Sequence, residues 1–313
     1  MTIGQTDVPK LQKISSDDMM NADQALQDEF SGIFFSTPAH YKEFRAGLLE
    51  QETELEAREV PVFKAIGSLV SIEIIKELNM DLNNLDYVFY CHETLEEIYV
   101  LPALKIKRKF EWHDCIPLMV SQSGSLSSLN AICLAQASLF DKQEGLALML
   151  TVDSVEFNVL RYQFTGYLRG DSASAIMLSS SAGDYQIIEV QKVNDGIPLS
   201  YPLWKEEDYQ LAEQLMIEQA EKLILLALST HEIDYIICQH LSDSFCQAIE
   251  VSSRQTSAEF FTRTQWADMN LLGNDPYISL QELEKEKEIR AGKRILLLFA
   301  SIDFGVGYLI LQK

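Results

Sequence analysis

The sequence has no long apolar run and no recognisable export signal. Across 313 residues the longest apolar stretches, Leu146–Val152 and Ile295–Ala300, are as long as a β-strand, whereas a membrane-spanning helix needs about 20 apolar residues. The amino-terminal segment MTIGQTDVPKLQKISSDDMM lacks the basic start and apolar core of a secretory signal, and it lacks the arginine-rich pattern of a transit peptide. We therefore expect a cytoplasmic protein.

Basic residues are scarce. The chain has 25 Lys and Arg against 47 Asp and Glu, a net charge of -22, which opposes general binding to nucleic acid or to anionic lipid. One basic run, KIKRK, could still recruit an acidic partner, although a solvated surface is the simpler interpretation. Its cations are Lys105, Lys107, Arg108 and Lys109.

Cysteine spacing indicates neither a disulfide framework nor a zinc site. The five cysteines include no CxxC pair, and most lie in apolar runs where a thiol behaves as a small hydrophobic group. They are Cys91, Cys115, Cys133, Cys238 and Cys246. The neighbouring His113 and His92 lack further ligands at metal-site spacing, so we expect no bound metal.

Helical periodicity alternates with short apolar runs rich in β-branched and aromatic residues, a pattern typical of crossover units around mostly parallel strands. Two units resemble each other. An amphipathic stretch precedes LDYVFYCH at 85–92, and another precedes IDYIICQH at 233–240. The shared Asp-Tyr pair and terminal histidine suggest an internal duplication. Residues 1–60 are polar and weakly patterned, and no site is assigned to them.

Ser125 lies where a buried strand meets a buried helix. The strand is CIPLMVS, and the following segment SLSSLNAICLAQASLF is apolar on nearly every face, so it is predicted at the centre of the fold. A helix start stabilises an anion through its unpaired N–H groups and its dipole, which suits a nucleophile of acyl transfer. The alternative is that the serines of this turn only cap the helix. The candidates are Ser123, Ser125, Ser127 and Ser128.

Four segments resemble β-ketoacyl-acyl-carrier-protein synthase III and its relatives in the thiolase superfamily. They are SGSLSSLNAI with the following LALMLTVDS, then RGDSASAIML with Gly170 and Asp171, then IDYIICQHLS, and finally LLGNDPYIS with Gly273 and Asn274. The resemblance covers residues 60–313. It implies a duplicated five-layer αβαβα fold, with an amino-terminal half of residues 1–182 and a carboxyl-terminal half of residues 183–313.

The chain departs from the family pattern at its reactive positions. Ser125 stands at the cysteine position, Gln239 stands at the histidine position with His240 next to it, and Asn274 is retained. A serine nucleophile needs an adjacent base because an alcohol is far less ionised than a thiol. The family's glycine-rich oxyanion loop is replaced by ASIDFGVG, which brings Ile302 and Asp303 into it.

The resemblance leaves two functional hypotheses. In the first, the chain is an acyltransferase in which Ser125 accepts an acyl group from a carrier-protein or coenzyme A thioester, His240 is the base and Asn274 is a hydrogen-bond donor. In the second, it is a degenerate subunit that pairs with an active, cysteine-bearing homologue. A protein that only binds a hydrophobic ligand has no positive feature. Dimerisation is implied in either case, and no tightly bound cofactor is expected beyond the thioester substrate, for which the basic run KIKRK is the candidate binding segment.

Overall fold

The structure is a computed structural model that describes residues 3–4, 12–13, 58–59, 72, 74–76, 78, 82–93, 101–153, 166–181, 183–193, 206–254, 256–302 and 305–313. Most of segment 1–60 and much of the helix predicted before the first Asp-Tyr pair lie outside the described residues. The strands are β1 (Ile3–Gly4), β2 (Gln12–Lys13), β3 (Arg58–Glu59), β4 (Tyr87–Cys91), β5 (Ile116–Val120), β6 (Leu146–Asp153), β7 (Leu168–Arg169), β8 (Ser172–Ser179), β9 (Gln186–Val193), β10 (Tyr235–Cys238), β11 (Glu259–Phe261), β12 (Met269–Asn270), β13 (Arg294–Ser301) and β14 (Gly305–Gln312).

The helices of the described residues follow the predicted crossover pattern. Residues 72 and 74–76 are helical, and the helices with described bounds are α1 (Pro102–Lys109), α2 (Ser127–Leu139), α3 (Glu206–Thr230), α4 (Asp243–Ser253) and α5 (Asp275–Glu286). A 3-10 turn, Gly124–Leu126, precedes α2, and another, Leu272–Asn274, precedes α5.

Two five-stranded sheets have the same topology. The first has the strand order β1-β8-β6-β4-β5, and the second has the order β9-β14-β13-β10-β11. In each sheet the strand that carries the Asp-Tyr repeat, β4 or β10, runs parallel to both of its neighbours. The next two strands, β6 with β8 and β13 with β14, pair antiparallel. This correspondence confirms the duplication that the short repeat suggested.

The layers alternate between helix and sheet because both faces of each sheet are apolar. Phe89 and Cys91 of β4 face a central core that contains α2, α5 and the inner face of the second sheet. Val88 and Tyr90 face an outer core with α1. Helices α3 and α4 cover the outer face of the second sheet. The predicted order of helix, sheet, helix, sheet, helix is thus confirmed.

Helix α2 lies between the sheets, as its apolar sequence predicted. Leu129 and Ile132 are fully buried in the central core. The burial is incomplete, however, since Leu134 is 46% exposed and Phe140, directly after the helix, is 86% exposed. One face of this segment is therefore exposed, while its predicted place at the centre of the fold is confirmed. Helix α3 is no membrane span, and neither is any other helix within the described ranges.

Candidate active site

Ser125 lies in the 3-10 turn that joins β5 to α2. The backbone reaches this turn through left-handed conformations at Gln122 (φ 63°) and Gly124 (φ 52°), and the serine side chain is nearly enclosed, with the residue 1% exposed. Neither helix start shows a side-chain cap at Ser123 or Leu126. The Ser125 hydroxyl makes side-chain contacts with residues from two other segments, so capping does not account for it.

Glu93 is the acceptor for the Ser125 hydroxyl. Ser125 Oγ donates to Glu93 Oε2 at 2.7 Å, and the other carboxylate oxygen of Glu93 forms an ion pair with Arg169. The Glu93 and Arg169 side chains are only 10% and 11% exposed, so their interaction is weakly screened by water. The Glu93 backbone N–H donates to Asp153 Oδ1 at 2.7 Å, which anchors the segment just beyond β4.

Gln239 contacts Ser125 from the second half of the chain. Its Nε2 donates to Ser125 Oγ at 3.1 Å and to Asn270 Oδ1 at 3.0 Å, and its Oε1 accepts the Ala300 N–H at 3.0 Å. Arg169 and Asn270 are paired residues of the small parallel sheet of β7 and β12. That sheet therefore places the guanidinium that binds Glu93 near the amide that binds Gln239.

His240 belongs to a different buried cluster. Its Nδ1 lies 3.0 Å from Asp275 Oδ1 and 2.9 Å from Arg263 Nη1, and Arg263 also forms an ion pair with Asp275. Gln239 therefore contacts Ser125, whereas His240 makes its side-chain hydrogen bonds within the cluster of Arg263 and Asp275. Burial alone would raise the pKa of Asp275, but the Arg263 guanidinium and the His240 ring together lower it to about 2.

Asn274 ends the 3-10 turn that lies against the Ser125 turn. A methyl group added at Gly273 would lie 3.5 Å from the Ser125 carbonyl oxygen, so the two turns are close. The Asn274 amide is held internally: Nδ2 donates to Ser172 Oγ at 3.0 Å, and Oδ1 accepts from Ser174 Oγ at 2.6 Å. The structure places Asn274 beside the serine turn, and these hydrogen bonds fix its orientation.

Sequence comparison finds no matching protein-family model and no matching curated protein. Comparison of structures does find similar folds. Synthase III from Pseudomonas aeruginosa is 11% identical, with a TM-score of 0.68 over 99% of this chain and 96% of the other. OleA of Xanthomonas campestris, bound to cerulenin, is 14% identical, with a TM-score of 0.68 over 99% and 97%. The chain has the thiolase-like fold.

A third structure with this fold, the acyltransferase ChlB3, is 16% identical, with a TM-score of 0.66 over 99% of this chain and 96% of the other. At such identities the thiolase-like fold is shared, while the chemistry has to be argued from the side chains of this chain. The Ser125 and Asn274 turns occupy corresponding places in the two halves of the fold, each directly before a central helix.

Sequence reasoning missed Asn270 and Asp153, which hold Gln239 and the Glu93 backbone. It also missed Glu93 and Arg169. Glu93 directly follows the strand of the first Asp-Tyr repeat, and Arg169 begins the RGDSASAIML segment, so both lay beside recognised features. Their meeting joins positions 76 residues apart, which no local pattern reveals. Asp303 of the altered oxyanion loop lies outside the described residues, whereas Ile302 is buried.

The basic cluster lies on α1. Lys105, Arg108 and Lys109 are exposed, whereas Lys107 donates to the backbone oxygens of His113 and Cys115 at 2.9 and 2.7 Å and so fixes the link to β5. No contact joins this cluster to the Ser125 turn among the described hydrogen bonds and ion pairs. Its proposed role toward a thioester carrier remains a prediction.

The cysteines are all free thiols, and three of them, Cys91, Cys115 and Cys238, are buried. Burial raises the pKa of the Cys115 thiol to about 11, and burial also raises the pKa of Cys91. The Cys91 and Cys115 thiols are therefore protonated at neutral pH, which makes them poor nucleophiles. Within the ranges that the structure describes, no group of three or more His, Cys, Asp or Glu residues is arranged to hold a metal ion.

Proposed function

We propose that the protein is a cytoplasmic acyltransferase of the ketosynthase III type, in which Ser125 accepts an acyl group from a coenzyme A or carrier-protein thioester and passes it to a small acceptor. The pathway would build a fatty-acid-like or polyketide-like specialised metabolite. The fold is shared with condensing and acyl-transferring enzymes.

The observation that carries this proposal is the environment of the Ser125 hydroxyl. The serine is buried at the start of a central helix, and its oxygen has an acceptor, Glu93, on one side and a donor, Gln239, on the other. A hydroxyl that is oriented in this way beside a carboxylate meets the geometric requirement for an activated nucleophile.

The same surroundings favour acyl transfer over decarboxylative condensation. Condensation develops an enolate, which needs donors and positive charge. Here Glu93 lies beside the serine, and Asp153 is buried next to Glu93 and 3.5 Å from Asn274 Nδ2. Two carboxylates at this position oppose the negative charge of the enolate, which only condensation develops. Transfer of a ready-made acyl group therefore fits the site better.

Acylation of Ser125 is tested by mass spectrometry. The purified protein is incubated with a panel of acyl-coenzyme A thioesters, and the peptide that contains residue 125 is examined for an acyl mass increase. We expect an adduct in the wild type and none in Ser125→Ala. Ser127→Ala is the matched control, since its hydroxyl is buried nearby but donates only to the His92 carbonyl, at 3.4 Å. An unmodified peptide 125 with every thioester would contradict the proposal.

For the carrier, we propose that the exposed cations of α1, Lys105, Arg108 and Lys109, contact an acidic carrier protein or the phosphates of coenzyme A. A local positive surface is needed because the chain as a whole carries a charge of -22. The triple substitution to Glu is expected to raise KM for the donor at low salt while kcat changes little. An unchanged KM would contradict this role.

The second candidate is a partner subunit that completes an active, cysteine-bearing ketosynthase III homologue. Gln239 at the histidine position favours it, since an amide cannot act as a base. Strand β5 forms an edge of its sheet, and Ile116 on it is 49% exposed, which fits pairing with a second subunit. Co-expression with such a homologue should yield a copurifying heterodimer, whereas a homodimer active without it supports the enzyme.

A further inference from the structure

We infer that Glu93 is the base that activates Ser125 and that Arg169 positions it. This inference rests on the acyl-transfer function proposed above and assigns the proton-accepting role to a carboxylate of the first half of the chain. Toward the Ser125 hydroxyl, Gln239 at the family's histidine position then acts as a hydrogen-bond donor.

The first step in the argument is the orientation of the Gln239 amide. The Ala300 backbone N–H can only donate, so the Gln239 atom 3.0 Å from it is the oxygen. The nitrogen then faces Ser125 and Asn270. Asn270 Oδ1 accepts the Leu272 N–H at 2.9 Å, which identifies that atom as an oxygen too. Both amides are thus assigned by backbone donors.

The second step follows from the single proton of the serine hydroxyl. Gln239 Nε2 donates to Ser125 Oγ at 3.1 Å, so the hydroxyl proton must point elsewhere. Glu93 Oε2, at 2.7 Å, lies within the distance at which a base can take it. Among the residues that the structure describes, Glu93 is the only carboxylate hydrogen-bonded to this hydroxyl.

The third step concerns how Glu93 is held. One oxygen faces the serine and the other faces the Arg169 guanidinium, so the carboxylate cannot rotate without losing an interaction. The guanidinium also supplies a counter-charge to the carboxylate that accepts the proton in this inference. The backbone hydrogen bond from Glu93 to Asp153 fixes the attachment point of the side chain.

The proposed step is balanced within the site. Ser125 Oγ forms a bond to the thioester carbonyl carbon while its proton moves to Glu93 Oε2. The tetrahedral intermediate then expels sulfur, which takes the proton from the Glu93 carboxyl group. The products are an acyl-serine ester, a free thiol and the regenerated carboxylate. Transfer to an acceptor hydroxyl or amine is the same sequence in reverse.

The test uses a fluorophosphonate probe, which reports serine nucleophilicity without a thioester. The probe forms a P–O bond to Ser125 and releases fluoride, while the serine proton moves to the base. We expect Glu93→Gln to lower the rate of labelling at Ser125 by about 10²- to 10⁴-fold. Glu93→Asp, which keeps the carboxylate, should retain more labelling than Glu93→Gln. Exposed Glu232→Gln serves as the control and should label like the wild type.

A structural role for Glu93 is separated from a base role by chemical rescue. Formate should restore labelling in Glu93→Ala, and it should leave Ser125→Ala unlabelled. Equal labelling of the wild type and Glu93→Gln, failure of formate to raise labelling of Glu93→Ala, or an unreactive wild-type Ser125 would each overturn the inference.

Labelling and acylation together can distinguish failure of the Glu93 base from failure of the proposed acyl transfer. Labelling that depends on Glu93, without an acyl adduct from any thioester, would support the base and reject acyl transfer. Acyl adducts that form equally fast in the wild type and in Glu93→Gln would support acyl transfer and reject the base.

Discussion

At the scale of single residues, Gln239 illustrates how one side chain limits the chemistry of a site. An amide can donate and accept hydrogen bonds, but it does not take up a proton at neutral pH. Gln239 uses this capacity fully, since its oxygen accepts the Ala300 N–H and its nitrogen donates to Ser125 and Asn270. It therefore orients the hydroxyl, and in the proposed acyl transfer the base has to come from another segment.

The isosteric substitution Gln239→Glu tests this organising role. It places a carboxylate oxygen against Ser125 Oγ and Asn270 Oδ1, so two hydrogen bonds are lost in a buried place. We expect the free energy of unfolding, measured in urea at pH 7, to fall by about 1–3 kcal/mol. Gln136→Glu, at an exposed position of α2, is the control and should change it little. Equal stability of Gln239→Glu and the wild type would contradict the hydrogen-bond assignment.

Asp275 makes a pH-dependent contribution to stability. Its folded pKa of about 2 lies below the ordinary value of 3.8, so the contribution is fully present above pH 4 and is lost as the pH falls from 4 towards 2. Asp275→Asn leaves the Arg263 guanidinium buried without its counter-charge. We expect the variant to be less stable than the wild type by about 3–5 kcal/mol at pH 7.

The measurement for Asp275 is urea unfolding at pH 7, 4 and 3. The difference between the wild type and Asp275→Asn should be similar at pH 7 and pH 4, and smaller at pH 3. Asp141→Asn, at an exposed position, is the matched control. A difference that stays constant down to pH 3 would show that the charge of Asp275 is not what stabilises the fold.

At the scale of elements, the Asp-Tyr repeat has a structural cause. Asp86 accepts the Leu146 N–H at 2.9 Å and pairs with Lys142, and Asp234 accepts the Arg294 N–H at 2.8 Å and pairs with Lys293 at 2.6 Å. Each aspartate thus fastens the start of its own strand to the start of the neighbouring strand. The repeat therefore reflects a structural contact that both halves contain, and it does not indicate a catalytic function.

Mutation of the two equivalent aspartate contacts should lower the free energy of unfolding by similar amounts. Asp86→Ala and Asp234→Ala each remove the acceptor of a strand N–H, and we expect each to lower the free energy of unfolding by about 1–3 kcal/mol in urea denaturation. Their effects should add, since they share no partner. Lys142→Ala, which removes only the partly exposed cation, should cost less stability than either aspartate substitution. Strongly unequal losses would argue against a common role.

The local sequence pattern predicted the helices and strands well, but it predicted the candidate active site incompletely. Alternating apolar runs located β4, β6, β10 and β13, and the all-round apolar segment located α2, because burial of side chains determines both the pattern and the structure. The contact between Ser125 and Glu93 depends on how a turn and a strand end meet in space. The local sequence of neither segment reveals this contact. The resemblance to the synthase III family therefore suggested His240 as the base instead.

At the scale of the whole molecule, the second sheet packs tightly on the central helix at Gly307. A methyl group there would lie 2.6 Å from Leu129 Cδ1 and 2.9 Å from the Gln191 carbonyl oxygen. We therefore expect Gly307→Ala to destabilise the protein by about 1–3 kcal/mol, measured by thermal or urea unfolding.

A double-mutant cycle identifies the cause at Gly307. Leu129→Ala alone should cost about 2–5 kcal/mol because it leaves a cavity in the central core. Combined with Gly307→Ala, the total loss should be smaller than the sum, since the added methyl group then enters the space that the leucine vacated. Simple additivity would mean that the two positions do not interfere.

The Ser125 hydroxyl bridges the two halves of the chain, with Glu93 from the first and Gln239 from the second. Hydrogen bonds depend on donor–acceptor distance and angle, whereas the burial of apolar surface is non-directional. In the proposed acyl transfer, a small shift between the halves would therefore stop Ser125 from reacting while both sheets were still intact. Loss of Ser125 reactivity should then be the first measurable sign that the two halves have moved apart.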